Sequence, residues 1–473
     1  MPSFLWRHQP GDLVIGRRGR TRFAPLYRVA HAARAAHMHV IGRSGKGKSK
    51  ALEHFIFQDI ANGLGCGLID PHSQLIDDLL RHLLTRQVLM RPDVLRRILY
   101  VDPARKDYII PFNVLATPDE PYKVAAAVLE AFRRTWSESL REAPHFSNVM
   151  THALLLLIQT GYTLVDLPRL LVDKAFREAL LELVDDPDLT AFFHDRYDQW
   201  GREAPVMRES SLNKVTTLTI NPHLKLMLGQ KENRLDFQSI MDEGRILLLD
   251  LGHCDTETNR LIGSLVVTGL ELAMRRRRTR TLWNLTIDEF AAYVANEGST
   301  QTLAHVFSEG RKFRMSMTVA HQTLSQLTPR MLGALGNTDT KVIFGIDRYD
   351  AEYFAKVIGR VDTEAVKREP KTNIQHEVFS SLPEQWEQWV DRLRFQPPRQ
   401  ATVMSQDREA ATIITLPIPR YTATDEQVEH IRRDSLSQAG IPYTEAKCNL
   451  GQETQQRTAT YMNVPEYEFV PNS

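Results

Sequence analysis

Gly42-Arg43-Ser44-Gly45-Lys46-Gly47-Lys48-Ser49 is the stretch on which the reading of this chain turns. It has the G-x-x-x-x-G-K-S spacing of a phosphate-binding loop, whose glycines let the backbone wrap so that successive N–H groups face a β-phosphate at a helix N-terminus. In such a loop Lys48 reaches the β- and γ-phosphates and Ser49 offers its hydroxyl to Mg²⁺. Eight residues can match by chance, so the flanks decide. A strand-like run, His39 to Ile41, precedes the loop, a helical period runs from Lys50 to Asn62, and Cys66 to Ile69 is apolar again. Strand, glycine-rich turn, helix, strand is the opening βαβ of an α/β domain. It predicts an ATP site made by Gly42, Arg43, Ser44, Gly45, Lys46, Gly47, Lys48, Ser49 and Lys50, with Mg²⁺ as companion ion.

A P-loop needs a carboxylate at the end of a neighbouring strand to hold the metal through water, and a second to activate the attacking water. Three apolar runs end in Asp: Gly67-Leu68-Ile69-Asp70, Leu247-Leu248-Leu249-Asp250 and Leu285-Thr286-Ile287-Asp288-Glu289. Only the third supplies two adjacent carboxylates, so Asp288 is assigned to the metal and Glu289 to the catalytic base. For Asp70 and Asp250, capping a turn at a strand end competes with a role in the site. Gln322 follows the strand Met315 to Ala320, at the end that faces a bound ligand in an open parallel sheet, where it can sense a γ-phosphate or orient water. Arg311, in Glu309-Gly310-Arg311-Lys312-Phe313, lies at the opposite end of that strand. It cannot reach its own nucleotide, and is either a solvated basic turn or a finger supplied to a neighbouring copy.

Strand patterns recur at Arg245 to Leu251, Leu282 to Ile287, Met315 to Ala320 and Thr340 to Phe344, while residues 111–236 carry long amphipathic segments without β-branched runs. The expected fold is therefore α/β: a mostly parallel sheet covered by helices on both faces and interrupted by an all-helical insertion. The expected boundaries are an N-terminal segment 1–36, core 37–110, helical insertion 111–236, core 237–395, and a C-terminal extension 396–473 with a disordered tail.

At 473 residues, 25% charged and 42% hydrophobic, the composition is that of a globular protein with more than one core. Three widely spaced cysteines form no C-x-x-C pair, which speaks against a disulfide framework or zinc site. None of the 16 histidines shows ligand spacing. No signal peptide or run of about 18 apolar residues is present, which by elimination predicts a cytoplasmic chain. The 59 basic and 58 acidic residues nearly cancel, yet Arg17, Arg18, Arg20, Arg22, Arg28, Arg34, Arg43, Lys46, Lys48 and Lys50 crowd the first fifty residues against a lone Asp12. Net charge therefore does not exclude a nucleic-acid partner. A second basic run, Arg275 to Arg278 with Arg280, reads either as a DNA contact or as a helix C-terminus favoured by the macrodipole.

From about Gly11 to Phe395 the order of these motifs resembles the HerA/FtsK superfamily of DNA-pumping ATPases, most of all coupling proteins of the TraG/TraD type used in conjugative type IV transfer. The likeness rests on His37-x-His39-Val40-Ile41-Gly42 into the P-loop, Ile69-Asp70-Pro71-His72, Ile287-Asp288-Glu289-Phe290, Glu309-Gly310-Arg311-Lys312-Phe313, Ala320-His321-Gln322 and the segment Asn337 to Phe354. It implies a RecA-like motor domain with a helical insertion, assembled as a homohexameric ring whose channel takes DNA. It makes Lys48, Asp288, Glu289, Gln322 and Arg311 catalytic, the arginine acting in trans. Implied partners are a relaxase or a secretion channel. Alternative readings are a HerA-like motor serving a nuclease or defence partner, and a nucleotide-gated scaffold with slow turnover. The chain departs from the family in three places. It lacks the transmembrane start of membrane-bound coupling proteins, its residues 1–36 are too short for the HerA β-barrel, and Ser73-Gln74 stands where the family often has Gly-Asp.

Overall fold

A computed structural model describes residues 11–136, 146–199, 211–294, 301–360, 381–405 and 409–462, except the side chains of 301–302 and 453–462. In chain order its strands are β1 (Leu13–Arg17), β2 (Leu26–Val29), β3 (Met38–Ile41), β4 (Cys66–Asp70), β5 (Ile98–Val101), β6 (Tyr108–Ile109), β7 (Ile246–Asp250), β8 (Trp283–Ile287), β9 (Met315–His321), β10 (Thr340–Ile343), β11 (Gln400–Ser405), β12 (Ala411–Thr415) and β13 (Ile441–Pro442). The chain forms two compact units, one of Met1–Ile98, Met241–Gly252 and Arg277–Val428, the other of Leu99–Ile240, His253–Arg276 and Glu429–Ser473.

In the first unit ten strands lie in the order β2-β1-β12-β11-β10-β3-β9-β8-β4-β7. From β10 to β7 the pairing is parallel, with Val40 opposite both Ala320 and Val342, and Leu68 opposite both Thr286 and Leu248. Every residue of these six strands is buried, as expected where helices cover both faces of a parallel sheet. Each fully buried Val, Leu or Ile there contributes about 1.5–3 kcal/mol. From β10 to β2 the pairing is antiparallel and the burial patterns are broken, as in β11 and β12. The helix Lys48–Ala61 packs Leu52, Phe55, Ile56 and Ile60 into the core and ends where Gly63 takes a left-handed φ of +81°.

The second unit is mostly helical, with β5 from Leu99 on and β6 pairing antiparallel with β13 as its strands. The helix Pro121–Thr135 packs between Phe146–Thr160 and Thr256–Met274. Arg134, whose side chain is fully buried, spans that packing by donating to Ser264 O and Thr268 Oγ1, both at 3.3 Å. At Gly269 a Cβ would lie 2.3 Å from the Phe237 ring, so only glycine allows that approach.

The mostly parallel α/β core and the helical part follow the sequence reading, while the segments flanking the core do not. Leu13–Val29, within the expected N-terminal segment 1–36, joins the sheet, because β1 pairs with β12 at Gly16↔Thr415. The expected extension 396–473 is divided: β11 pairs with β10 at Val342↔Val403, while Glu429–Ser473 clusters with the helical unit. Ladder hydrogen bonds to distant strands claim these residues, and no local period announces that. The region expected as a loose tail begins inside the helix Tyr443–Met462, and 463–473 lie outside the described residues, as do 137–145 of the expected helical insertion.

Candidate active site at the ends of the parallel strands

The P-loop connects β3 to the helix Lys48–Ala61, and Gly47 reaches the helix only through a left-handed φ of +107°. Gly42 is required for a different reason, since a Cβ there would sit 2.6 Å from the Phe344 Cβ. The loop is anchored by Gly42 N–H donating to His321 O (3.4 Å), Arg43 N–H to Gly345 O (2.9 Å) and Arg399 N–H to Lys46 O (2.9 Å). Lys48 is buried and its Nζ donates to Gly42 O at 2.6 Å. Burial lowers its pKa, opposed by the charges of Glu289 and Asp288.

Asp288 and Glu289 stand at the C-terminal end of β8, one strand from β9 and two from β3. Ser49 Oγ donates to Asp288 Oδ2 at 3.3 Å, and the Glu289 N–H to Asp288 Oδ1 at 3.0 Å. Burial raises the Asp288 pKa, with the Glu289 charge adding to it and Lys48 and Ser49 opposing. Glu289 holds a left-handed φ of +47°, sparsely populated by non-glycine residues, and its Oε1 accepts from Gln322 Nε2 at 2.9 Å. Lys48, Ser49, Asp288, Glu289 and Gln322 are thus drawn together at one end of the sheet.

Other nominated residues are engaged elsewhere. Asp70 caps its own turn, accepting from His72 and Ile76 N–H, both at 2.9 Å, and Asp250 accepts from Ser73 Oγ. The Lys50 ammonium points away from the loop into an ion cluster, donating to Asp78 (2.7 Å), Glu53 (3.0 Å) and Tyr421 (2.6 Å). Lys46 Nζ donates to Gln396 O and Arg43 to Arg394 O, tying the loop to the segment before β11. Gly45, the left-handed residue between Ser44 and Lys46, faces open space.

Arg311 is exposed in the turn Gly310–Phe313. The seven residues of β9 separate it from Gln322, about 20 Å of strand. With Ala32, Arg280, Lys312 and Arg314 it lines an open cleft of about 560 Å³. Arg277 holds this turn in place: its side chain, only 1% exposed, donates to Phe313 O (3.0 Å), Arg314 O (2.6 Å) and Thr281 O (2.8 Å) and pairs with Asp242. Arg275 and Arg276 pair with Glu271 and Asp119. Arg275, Arg276 and Arg277 of the arginine run are thus engaged by acids, while Arg280 lines the cleft.

Two contributors were given no role in the sequence reading. Asp350 accepts the Leu324 N–H at 3.2 Å and so fixes the segment after Gln322; burial pushes its pKa up to about 6. Behind the P-loop His39 Nε2 meets His321 Nε2 at 2.7 Å, the rings stacked 4.9 Å apart. Burial holds both imidazoles below the usual range, so both are neutral near pH 7. Because His321 Nδ1–H donates to Thr323 O, its Nε2 accepts the His39 proton.

The donor set fits Mg²⁺ and a triphosphate. Ser49 Oγ and Asp288 Oδ2 are hard oxygens beside a buried, desolvated carboxylate, and the first-turn N–H groups of a 14-residue helix face the loop. A bound Mg²⁺ would supply charge neutralisation of the phosphates. Lys48 Nζ, the Glu289 carboxylate and Gln322 Nε2 stand at the same end of the sheet, Gln322 hydrogen-bonded to Glu289.

Residues 283–393 match the family described as the TraM recognition site of TraD and TraG. Comparison with curated proteins gives no match. Among solved structures, the unbound monoclinic form of the bacterial conjugative coupling protein TrwBdeltaN70 is 17% identical, with a TM-score of 0.57 over 83% of this chain and 88% of that one. TrwB in complex with ADP and Mg²⁺ gives 17% and 0.56 over 85% and 89%, and VirB4 of Thermoanaerobacter pseudethanolicus 13% and 0.55 over 87% and 98%. Among the described residues no helix is long and apolar enough to cross a membrane. The chain thus carries, over residues 283–393, a match to the TraD/TraG family model, on a fold similar to those of TrwB and VirB4.

Proposed function

We propose that the chain is an ATP-driven DNA translocase, coupling-protein-like, which hydrolyses ATP at the interfaces of a homohexameric ring. Lys48 binds the β/γ-phosphates, Ser49 and Asp288 hold Mg²⁺, Glu289 takes the proton of the attacking water, and Gln322 orients Glu289. Arg311 serves the nucleotide of the neighbouring copy. The observation that carries this reading is the division of one sheet: five site residues meet at one end, while Arg311 stands about 20 Å away in a basic cleft. That TrwB has been solved with ADP and Mg²⁺ supports nucleotide use, and the family description supports a conjugative partner.

The test is ATP turnover with and without single- and double-stranded DNA, for the wild-type protein and Glu289→Gln. The reading expects DNA to stimulate turnover and the variant to lose about 10²-fold or more. Wild-type turnover indifferent to both kinds of DNA would remove the motor.

A further inference from the structure

The β1–β2 hairpin turns through Arg18–Pro25 and carries Arg17, Arg18, Arg20 and Arg22 within six residues. No Asp or Glu occurs between Asp12 and Glu53. Its backbone is fixed by Arg18 N–H donating to Pro25 O (2.9 Å) and Ala24 N–H to Thr21 O (3.1 Å). The guanidiniums lean on carbonyl or aromatic groups: Arg17 donates to Ala24 O, Arg18 lies over Tyr27, and Arg22 lies over Phe23. None of the four has a carboxylate partner among the described residues. Elsewhere in the same unit Arg81 pairs with Asp77 and Asp425, and the exposed Arg348 with Glu352 and Glu387. At the tip Phe23 is 86% exposed.

Four like charges on an ordered hairpin repel one another and meet no opposite charge among the described residues, so their complement is a polyanion. Phe23 narrows the class. One large apolar side chain is too little to enter a bilayer, but an aromatic ring among arginines is what stacks an unpaired base while the cations meet the phosphates on either side. We propose that the hairpin tip binds a single-stranded stretch of nucleic acid, Arg18, Arg20 and Arg22 contacting phosphates and Phe23 stacking on a base. The proposal rests on the reading of the chain as a DNA motor and supplies the contact residues that reading lacks.

The experiment measures binding of a labelled 30-mer oligo-dT, and of a duplex of equal length, by fluorescence anisotropy from 50 to 300 mM salt on the full chain with an ATP analogue. The variants are the triple substitution Arg18→Gln, Arg20→Gln, Arg22→Gln, and Phe23→Ala alone. The triple variant should weaken oligo-dT binding at least about tenfold and flatten the slope of log K against log salt by about 2, at roughly 0.7 per phosphate contact. Phe23→Ala should weaken oligo-dT binding about 5- to 100-fold, leave the salt slope alone and spare the duplex. Turnover without DNA should stay at the wild-type value in both, which also shows that they fold. Wild-type oligo-dT affinity in either variant overturns the proposal, as does a loss confined to phosphatidylserine vesicles. A wild-type protein that binds no DNA at all would instead sink the motor reading beneath it.

Discussion

Strand β9 ends in two different environments. At its C-terminal end Gln322 closes a set in which each group has a partner: Gln322 to Glu289, Ser49 to Asp288, Lys48 to Gly42 O. At its N-terminal end Arg280, Arg311, Lys312 and Arg314 share an open cleft, and the buried arginine nearby, Arg277, is spent on holding the turn. One end has carboxylates and a phosphate-binding loop and no arginine finger; the other has cations and no phosphate-binding loop. In the proposed ring the two ends are complementary between copies: a head-to-tail contact would bring them together and complete the site.

The largest effect expected from breaking this comparison is at the loop itself. Lys48→Ala should abolish turnover and weaken binding of an ATP analogue, read by steady-state hydrolysis and analogue titration. At the other end Arg277→Lys should sharpen the contrast. A lysine cannot fork onto two carbonyls, so the turn carrying Arg311 shifts, turnover falls about 10- to 100-fold, and analogue affinity stays as in the wild type. Equal loss of affinity and turnover would mean that Arg277 merely stabilises the fold.

The smallest effect concerns Asp350, whose folded-state pKa of about 6 lies above its ordinary value of 3.8. Between these values the folded state keeps a proton that the unfolded chain has released, so stability falls as pH rises through that window. Asp350→Asn should remove this part of the pH dependence, and Tm measured from pH 4 to 7 should decline less in the variant than in the wild type.

Much of the phosphate end was legible because its signals are local: a strand, a glycine spacing and a helix in sequence, then an apolar run ending in Asp288-Glu289. What escaped was non-local. β11 and β12 fell inside the expected C-terminal extension, since their place in the sheet depends on β10 and on β1, nearly 400 residues upstream. Arg277 vanished into a run of four arginines, since sequence cannot say which guanidinium turns inward. Lys50 looked like part of the phosphate loop, but its partners Asp78 and Tyr421 come from other segments. Asp70 and Asp250 had two readings, and the hydrogen bonds they accept favour capping.

The most direct test of a site shared between copies mixes two inactive variants. Arg311→Ala should bind an ATP analogue normally and hydrolyse about 10³-fold more slowly, and Glu289→Gln should be similarly inert. In an equal mixture about a quarter of the interfaces would pair an intact Glu289 with an intact Arg311 from the neighbour, so ATP turnover should recover to about a quarter of the wild-type rate. A mixture as inactive as its components, or an Arg311→Ala protein that turns over ATP at the wild-type rate, would contradict the account.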